Sequence, residues 1–473
     1  MPAASPQPAM SANAPTAALA AFAADLRGDR LPADVKVTLG ELFLDFLRVG
    51  SIGARMPWSD WARNYVAALG GSGNAPILFQ AERRDPVRAA FLNTVYAGSI
   101  DADDTHVGSM LHPGSIVFSA ALAAGVQADA SGRDFLAAVA AGYEAMIRIG
   151  LSIQPSHFKR GFQSTATCGG FGAATAAARL LFQDKTDAAT RIADSIGIVS
   201  SFSGGLTQFY QSGSTVKRIH AAHAAESGVT AAFLVFNGFS GPNDILEGSN
   251  GFARAYADGV DFSIVTNGLG QDFRLREVTV KGHACSARVQ AAVEAVLDLC
   301  AAHKIRSTDI AEIFIGIPSI IVGRLTIPRP VDVQAAQMSL PFSVALAADR
   351  AEGAGEGFAL DVNHYEAGMQ NAAVSELESR VRFEVTPEVE AATTPESVPA
   401  RVIIKLKNGA EHTIFVSAPK GSPSRPFSHD DHLARFRREL STRWPDKHCD
   451  EIIALAADLS AVDRISRVAD LLS

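Results

Sequence analysis

Between Lys217 and Phe236 the chain carries Ala221, Ala222, Ala224, Ala225, Ala231 and Ala232. Side chains this small let neighbouring helices approach closely, so the stretch specifies a helix packed among other helices. Phe233, Leu234 and Phe236 add bulk near its end, and Asn237-Gly238 is a stop signal. Upstream, the polar stretch Gln211-Ser-Gly-Ser-Thr215 is turn-forming and delivers Lys217, Arg218 and His220 to the first helical turn. Two cations at a helix N-terminus oppose its macrodipole. Either they form a solvated basic turn, or they join the helix N–H groups in holding an anion.

The same helical character runs from Ala17 to about Phe262. Leu42, Phe43, Phe46 and Leu47 recur at helical spacing, and Ser131-Gly132 precedes a further helix over Asp134–Ile149. Nothing in this part alternates as a sheet does. Near Gln271 the pattern changes. Strands are predicted over Leu275–Val280, Ile310–Ile317, Arg380–Thr386, Ala400–Lys407 and His412–Val416, with Asn408-Gly409 as a hairpin turn. Helices are predicted over Ala287–Ala302 and Phe342–Ala351, and helical periodicity returns from His429. The fold class is therefore mainly α with an α+β second domain. Residues 1–16 read as a loose tail and 17–270 as the helical domain. Residues 271–418 form the smaller α+β domain, and 419–473 a linker with helices that pack back.

Composition narrows the function classes. The 473 residues carry a net charge of −8 with no long basic run, which excludes nucleic acid as the expected partner. No uninterrupted apolar run reaches membrane-spanning length and the N-terminus lacks a signal-peptide pattern, so no membrane is expected. Cys168, Cys285, Cys300 and Cys449 are scattered without a CxxC pair, which fits a reduced, cytoplasmic setting. An acidic protein that handles anions needs local cationic pockets, so individual lysines and arginines matter more than the total.

Three clusters hold candidate chemistry. In Ser99–Gly114, Asp101, Asp103, Asp104, Thr105, His106 and His112 crowd one segment. Its spacing matches no standard zinc or calcium loop, so no metal is assigned. An acid/base site fits better, centred on His112, because histidine changes charge near neutral pH and Pro113-Gly114 fixes the backbone that aims it. Asp101 or Asp104 is the candidate to hold the imidazole. The second cluster runs from Gly142-Tyr-Glu through Arg148, His157, Lys159, Arg160 and Gln163 into Gly169-Gly-Phe-Gly172, a run read as helix packing rather than a phosphate loop. The third is Lys281-Gly-His-Ala-Cys-Ser-Ala-Arg288. Cys285 has no His–acid arrangement beside it and is not assigned as a nucleophile.

The stretch Gly213-Ser214…Lys217-Arg218…Ala224-Ala225…Ser227-Gly228, followed by Gly238-Phe-Ser-Gly-Pro242 and Leu246-Glu-Gly248, resembles the core signature of the MmgE/PrpD family. The family includes 2-methylcitrate dehydratases, cis-aconitate decarboxylases and iminodisuccinate epimerases. Asp101…Thr105…His112-Pro113, Gly142-Tyr-Glu144, Lys281 and Ala336–Ala345 extend the similarity over nearly the whole chain. The resemblance implies a large helical domain, a smaller lid, a site between them and a homodimer. It also implies that Asp101 and Thr105 line the pocket, that His112 is catalytic and that Lys281 is functional. Phe342 stands where some members have a pocket Tyr. The chain departs from the decarboxylase pattern at Gln163 and Ser286, where histidines are expected. His157 or Lys159 is the stand-in considered for the first.

Such enzymes act on di- or tricarboxylates at a carbon beside a carboxylate, which requires cations for the carboxylates and an acid/base. The expectation is a cofactor-free lyase that dehydrates a citrate- or 2-methylcitrate-like hydroxy acid. His112 moves the proton, Lys217 and Lys281 clamp carboxylates, and Asp101 completes the catalytic set, with Asp101 or Asp104 holding the imidazole. Thr105, Asp104, Arg160, Gln163, Arg218, His283 and Ser286 are the expected substrate contacts. Epimerisation of an iminodisuccinate-type amino diacid is the first alternative. Cis-aconitate-type decarboxylation and a non-catalytic binding paralogue follow.

Overall fold

The computed structural model describes residues 14–355 and 357–472. Most of the expected N-terminal tail, residues 1–13, lies outside the described residues. Pro15 and Thr16, however, begin a helix, Pro15–Asp25, and the buried Thr16 hydroxyl donates to Glu247 at 2.6 Å.

The centre of the helical domain is the helix Ser164–Leu181, buried along almost its whole length. Around it pack Pro113–Gln127, Gly132–Ser152, Ala188–Ser200 and Lys217–Phe236. The glycines and alanines bring these helices to backbone contact. A Cβ placed on Gly228 would lie 2.4 Å from that of Ala173 and 2.7 Å from the Gly170 carbonyl. Gly169-Gly-Phe-Gly172 is therefore an interior helix seam. Starts are set by side-chain caps: Asp85 accepts from Arg88 N, and Ser131 from Asp134 N. Gly132–Ser152 is long and apolar enough on average to cross a membrane, but Arg133, Asp134, Glu144 and Arg148 interrupt its apolar run and it is almost wholly buried in the protein. It carries the enclosed Glu144–Arg148 pair, and Arg148 donates to the carbonyls of Ile264, Asn267, Gly268 and Asp272. A two-residue ladder, Ala75–Pro76 with Arg83–Arg84, is the sheet structure that periodicity missed in this part.

The second domain holds a four-stranded mixed sheet. Its spatial order is Val381–Val385, Ile310–Ile317, Ala400–Leu406, Glu411–Val416, with the first pair parallel and the others antiparallel. Ile313, Ile315, Val402 and Ile404 are buried beneath the helices Gln290–His303 and Leu340–Arg350. Gly409, at φ 89°, closes the predicted hairpin. Phe342 is buried in this core beside Tyr365.

The predicted strand Leu275–Val280 is not part of the sheet. Arg274–Glu277 is a 3-10 turn whose Leu275 N–H donates to Glu144, and only Thr279 pairs, with Thr105. Leu275, Val278, Thr279 and Val280 are all buried against the helical domain, so burial here has no strand period. After the sheet, the helix His429–Leu440 opens with a capping box, Ser428 with Asp431, and packs along Ala33–Gly53. From it Arg435 donates to the Lys281 carbonyl at 2.6 Å, bracing the strip that carries the third cluster.

Candidate active site

Residues 99–112 link the helices Pro86–Gly98 and Pro113–Gln127 and turn sharply: Asp101 (φ 56°) and Met110 (φ 59°) are left-handed. Thr105 and Thr279 exchange backbone hydrogen bonds at 2.9 and 2.8 Å, fastening this loop to the segment that leads to Lys281. The turn sends the Asp101 carboxylate between two ammoniums. Lys217 donates to its Oδ2 at 2.7 Å, and Lys281 to its Oδ1 at 2.6 Å and its carbonyl at 2.9 Å. Burial alone would push the Asp101 pKa up, but the two lysines and then His112 outweigh it and hold the carboxyl well below the usual range. Burial pushes Lys217 down from the ordinary lysine value, with Asp101 opposing it.

His112 stands at the N-cap of Pro113–Gln127. Its Nδ1 lies 3.1 Å from Asp103 Oδ1 and 3.3 Å from Thr105 Oγ1, and its backbone N–H donates to Thr165. An ionised carboxylate only accepts, so Asp103 selects the tautomer with hydrogen on Nδ1. Nε2 is then the basic nitrogen of a side chain that is 16% exposed and lines the cavity. This is the acid–histidine arrangement that orients a general base. The imidazole partner is Asp103, not Asp101 or Asp104. Asp104 lies one layer deeper, accepting from Gly114 N and Tyr143 Oη at 2.8 Å each. Burial, with help from Asp103, pushes its pKa up to about 7.

The cavity, about 550 Å³ with its open mouth, is lined by Asp101, Thr105, His112, Gln163, Lys217 and Ser286 among the expected residues. Gln163 caps the central helix by accepting from Ala166 N at 2.6 Å, which leaves its NH₂ to donate. Lys281 is 0% exposed and sits behind Asp101, so its charge acts through that carboxylate and not as a clamp. Besides Asp104, three expected contacts lie elsewhere. Arg218 stacks on Trp58 at 3.5 Å and donates to the Ser99 carbonyl. Arg160 is exposed and pairs with Asp258. His283 accepts from Leu360 N, and burial drives its pKa down to about 4. Neither stand-in for Gln163 fits: His157 is buried between Ser164 and Thr167 with its pKa lowered to about 4, and Lys159 is exposed.

Phe158, Ser164, Tyr210, Arg288 and Met338 also line the cavity and were not among the sequence assignments. Arg288 was visible seven residues past Lys281, but only the turn over 282–289 brings it back to the wall. Asp101, Asp103 and His112 present ligand-type atoms within 4.8 Å of one another. Both Asp101 oxygens are already held by ammoniums, so a divalent ion there would face two fixed cations.

Residues 17–265 match the family model for the MmgE/PrpD N-terminal domain, and 283–460 that for the C-terminal domain. The cis-aconitate decarboxylase-like protein oryM of Aspergillus oryzae is 30% identical over 298 residues, spanning 59% of this chain and 60% of that protein. The cis-aconitate decarboxylase of Aspergillus terreus is 25% identical over 480 residues, covering 97% of this chain and 96% of its own length. The human cis-aconitate decarboxylase is 25% identical over 447 residues, 91% of this chain and 89% of that protein.

Proposed function

We propose that this chain, which belongs to the MmgE/PrpD family, is a lyase that eliminates water from a citrate- or 2-methylcitrate-like hydroxy acid. The observation that carries the reading is His112: Asp103 fixes hydrogen on Nδ1 while the ring faces a cavity that Lys217 also walls. In the reaction Nε2 takes the proton from the carbon beside a carboxylate. The C–H electron pair becomes the new C=C bond, the C–O bond breaks, and the hydroxyl departs as water with a proton from the imidazolium. Negative charge gathers on the carboxylate while the proton leaves, and the Lys217 ammonium lies where it offsets that charge. Thr105 and the Gln163 NH₂ are placed to hydrogen-bond substrate oxygens.

A second reading is favoured by the relatives, which are named cis-aconitate decarboxylases. There the C–CO₂ bond breaks and the imidazolium returns a proton to carbon. Gln163 and Ser286, standing where that pattern has histidines, count against it, because neither side chain takes up a proton in the neutral range. Incubating the enzyme in D₂O with citrate, 2-methylcitrate, cis-aconitate and iminodisuccinate separates the readings by NMR. Alkene formation supports dehydration, CO₂ release supports decarboxylation, and deuterium exchange alone supports epimerisation. His112→Asn should lose at least about a hundredfold in kcat, the scale of general acid–base catalysis. Near-normal turnover by that variant would remove His112 from the mechanism.

A further inference from the structure

Lys217 and Arg288 both line the cavity, and among the described residues only Lys217 of the two is paired with a carboxylate. Lys217 and Lys281 share the single carboxylate of Asp101, which leaves that trio one positive charge. Among the described residues, no carboxylate lies within ion-pairing distance of Arg288. Its guanidinium makes one long hydrogen bond, 3.4 Å to the Val107 carbonyl, and lies 5.9 Å from the Phe158 ring centroid. Arg324 covers the same ring at 4.1 Å. The neighbours therefore add positive charge and no negative charge. Tyr210 lines the same wall, and Ser286 sits two residues before Arg288. Burial lowers the Arg288 pKa to about 10, with Arg324 contributing, yet the group stays a cation at neutral pH.

A half-buried guanidinium without an anion is a poor arrangement, and its planar fork matches a carboxylate with two parallel hydrogen bonds. We infer that Arg288, at the cavity wall beside Tyr210 and Ser286, binds a second substrate carboxylate remote from the carbon that His112 deprotonates. It thereby sets the substrate class as acids with at least two carboxylates. The inference rests on the carboxylate-lyase reading for its substrate, but it makes a separate claim about binding. Lys217 anchors the carboxylate next to the reacting carbon. Arg288 anchors the far one and so fixes which carbon is presented to Nε2.

Propane-1,2,3-tricarboxylate tests this without turnover, because it has no hydroxyl to eliminate. Isothermal titration should show that the wild-type protein binds it. Arg288→Gln should weaken binding at least about tenfold, the scale of a charge-assisted pair. Arg288→Lys should fall between the two, since an ammonium keeps the charge and loses the fork. Butyrate, with one carboxylate, should bind both variants as it binds the wild type, which also reports that the cavity is intact. Tricarboxylate affinities within twofold of wild type in both variants overturn the inference, as does equal loss of butyrate binding. Failure of the wild-type protein to bind the tricarboxylate overturns it too. Arg288-dependent binding without turnover of any hydroxy acid would sink the proposed reaction and leave the subsite standing.

Discussion

Replacing Lys281 by methionine probes the arrangement on which the cavity is built. The ammonium is wholly enclosed and donates twice to Asp101, at 2.6 and 2.9 Å, while Lys217 holds the other carboxylate oxygen at 2.7 Å. Breaking a buried pair by removing one partner costs about 3–5 kcal/mol, because it strands a charge away from water. Lys217 still neutralises Asp101 in this variant, so the expected loss is about 3 kcal/mol, the lower end of that range. Asp101→Asn strands two ammoniums beside each other and should cost about 4 kcal/mol or more. The double variant leaves one ammonium against a neutral amide. Its loss should fall short of the summed single losses by about 1–3 kcal/mol, the coupling typical of contacting groups. Urea unfolding of the four proteins at neutral pH measures all three terms. A Lys281→Met loss under about 1 kcal/mol, or a cycle additive to within about 0.5 kcal/mol, would refute the reasoning. The pH dependence has a definite sign. The Asp101 pKa in the folded protein lies below its unfolded value of 3.8, so its contribution is present above about pH 4 and is lost on acidification. Lys281→Met weakens that depression and should move acid unfolding to higher pH.

Asp103→Asn replaces an acceptor-only carboxylate by an amide whose NH₂ can donate to His112 Nδ1 and favour the other tautomer, and should lower kcat by about 10²–10⁴, with KM changed less than about threefold. Steady-state kinetics on the dehydrated acid check this, and wild-type kcat would free the imidazole from Asp103. Asp104 titrates in the opposite sense to Asp101: its folded pKa is raised to about 7 from 3.8, so stability falls as pH rises between those values. Asp104→Asn should flatten that slope in denaturant midpoints measured from pH 4 to 7. Gly228→Leu forces a side chain into the seam where a Cβ alone would lie 2.4 Å from Ala173. Thermal unfolding should register a loss of about 3 kcal/mol or more, the upper end of overpacking costs.

What the sequence revealed and what it hid follow from the range of the interactions involved. Ile310–Ile317 was readable to the residue because β-branched residues alternate there and a sheet needs nothing else locally. The Lys217–Phe236 helix and its Asn237-Gly238 end were equally local. Leu275–Val280 failed because apolar side chains record burial and not strand pairing, and one bridge with a 3-10 turn buries them as well as a strand does. At the site, Asp101, Thr105, His112, Gln163, Lys217 and Ser286 converge on the cavity as adjacent motifs suggest. The identity of each partner was not legible. Asp101, Asp103 and Asp104 lie within four residues, and a left-handed residue at Asp101 decides which faces the lysines, which the imidazole and which Tyr143. Arg218 and Arg160 looked like anion ligands on charge alone. Trp58 and Asp258, far away in sequence, claim them.

The place of Asp101 explains how a site for anions can contain a buried carboxylate. Without it, Lys217 and Lys281 would be two ammoniums close together and shielded from water, an unfavourable pair. Asp101 lies between them and fixes where Lys217 points, since its Oδ2 at 2.7 Å and the Met338 sulfur at 3.8 Å hold that amine. Asp101 balances one of the two lysine charges, so the trio keeps a single positive charge. In the proposed reaction a substrate carboxylate meets the outer side of Lys217. The remaining attraction must come from a cation that no protein carboxylate answers, and on this wall that group is Arg288. In the proposed function, binding and proton transfer fall to separate charges: the Asp101 pair fixes geometry, Asp103 and His112 would move the proton, and Arg288 would select the acid.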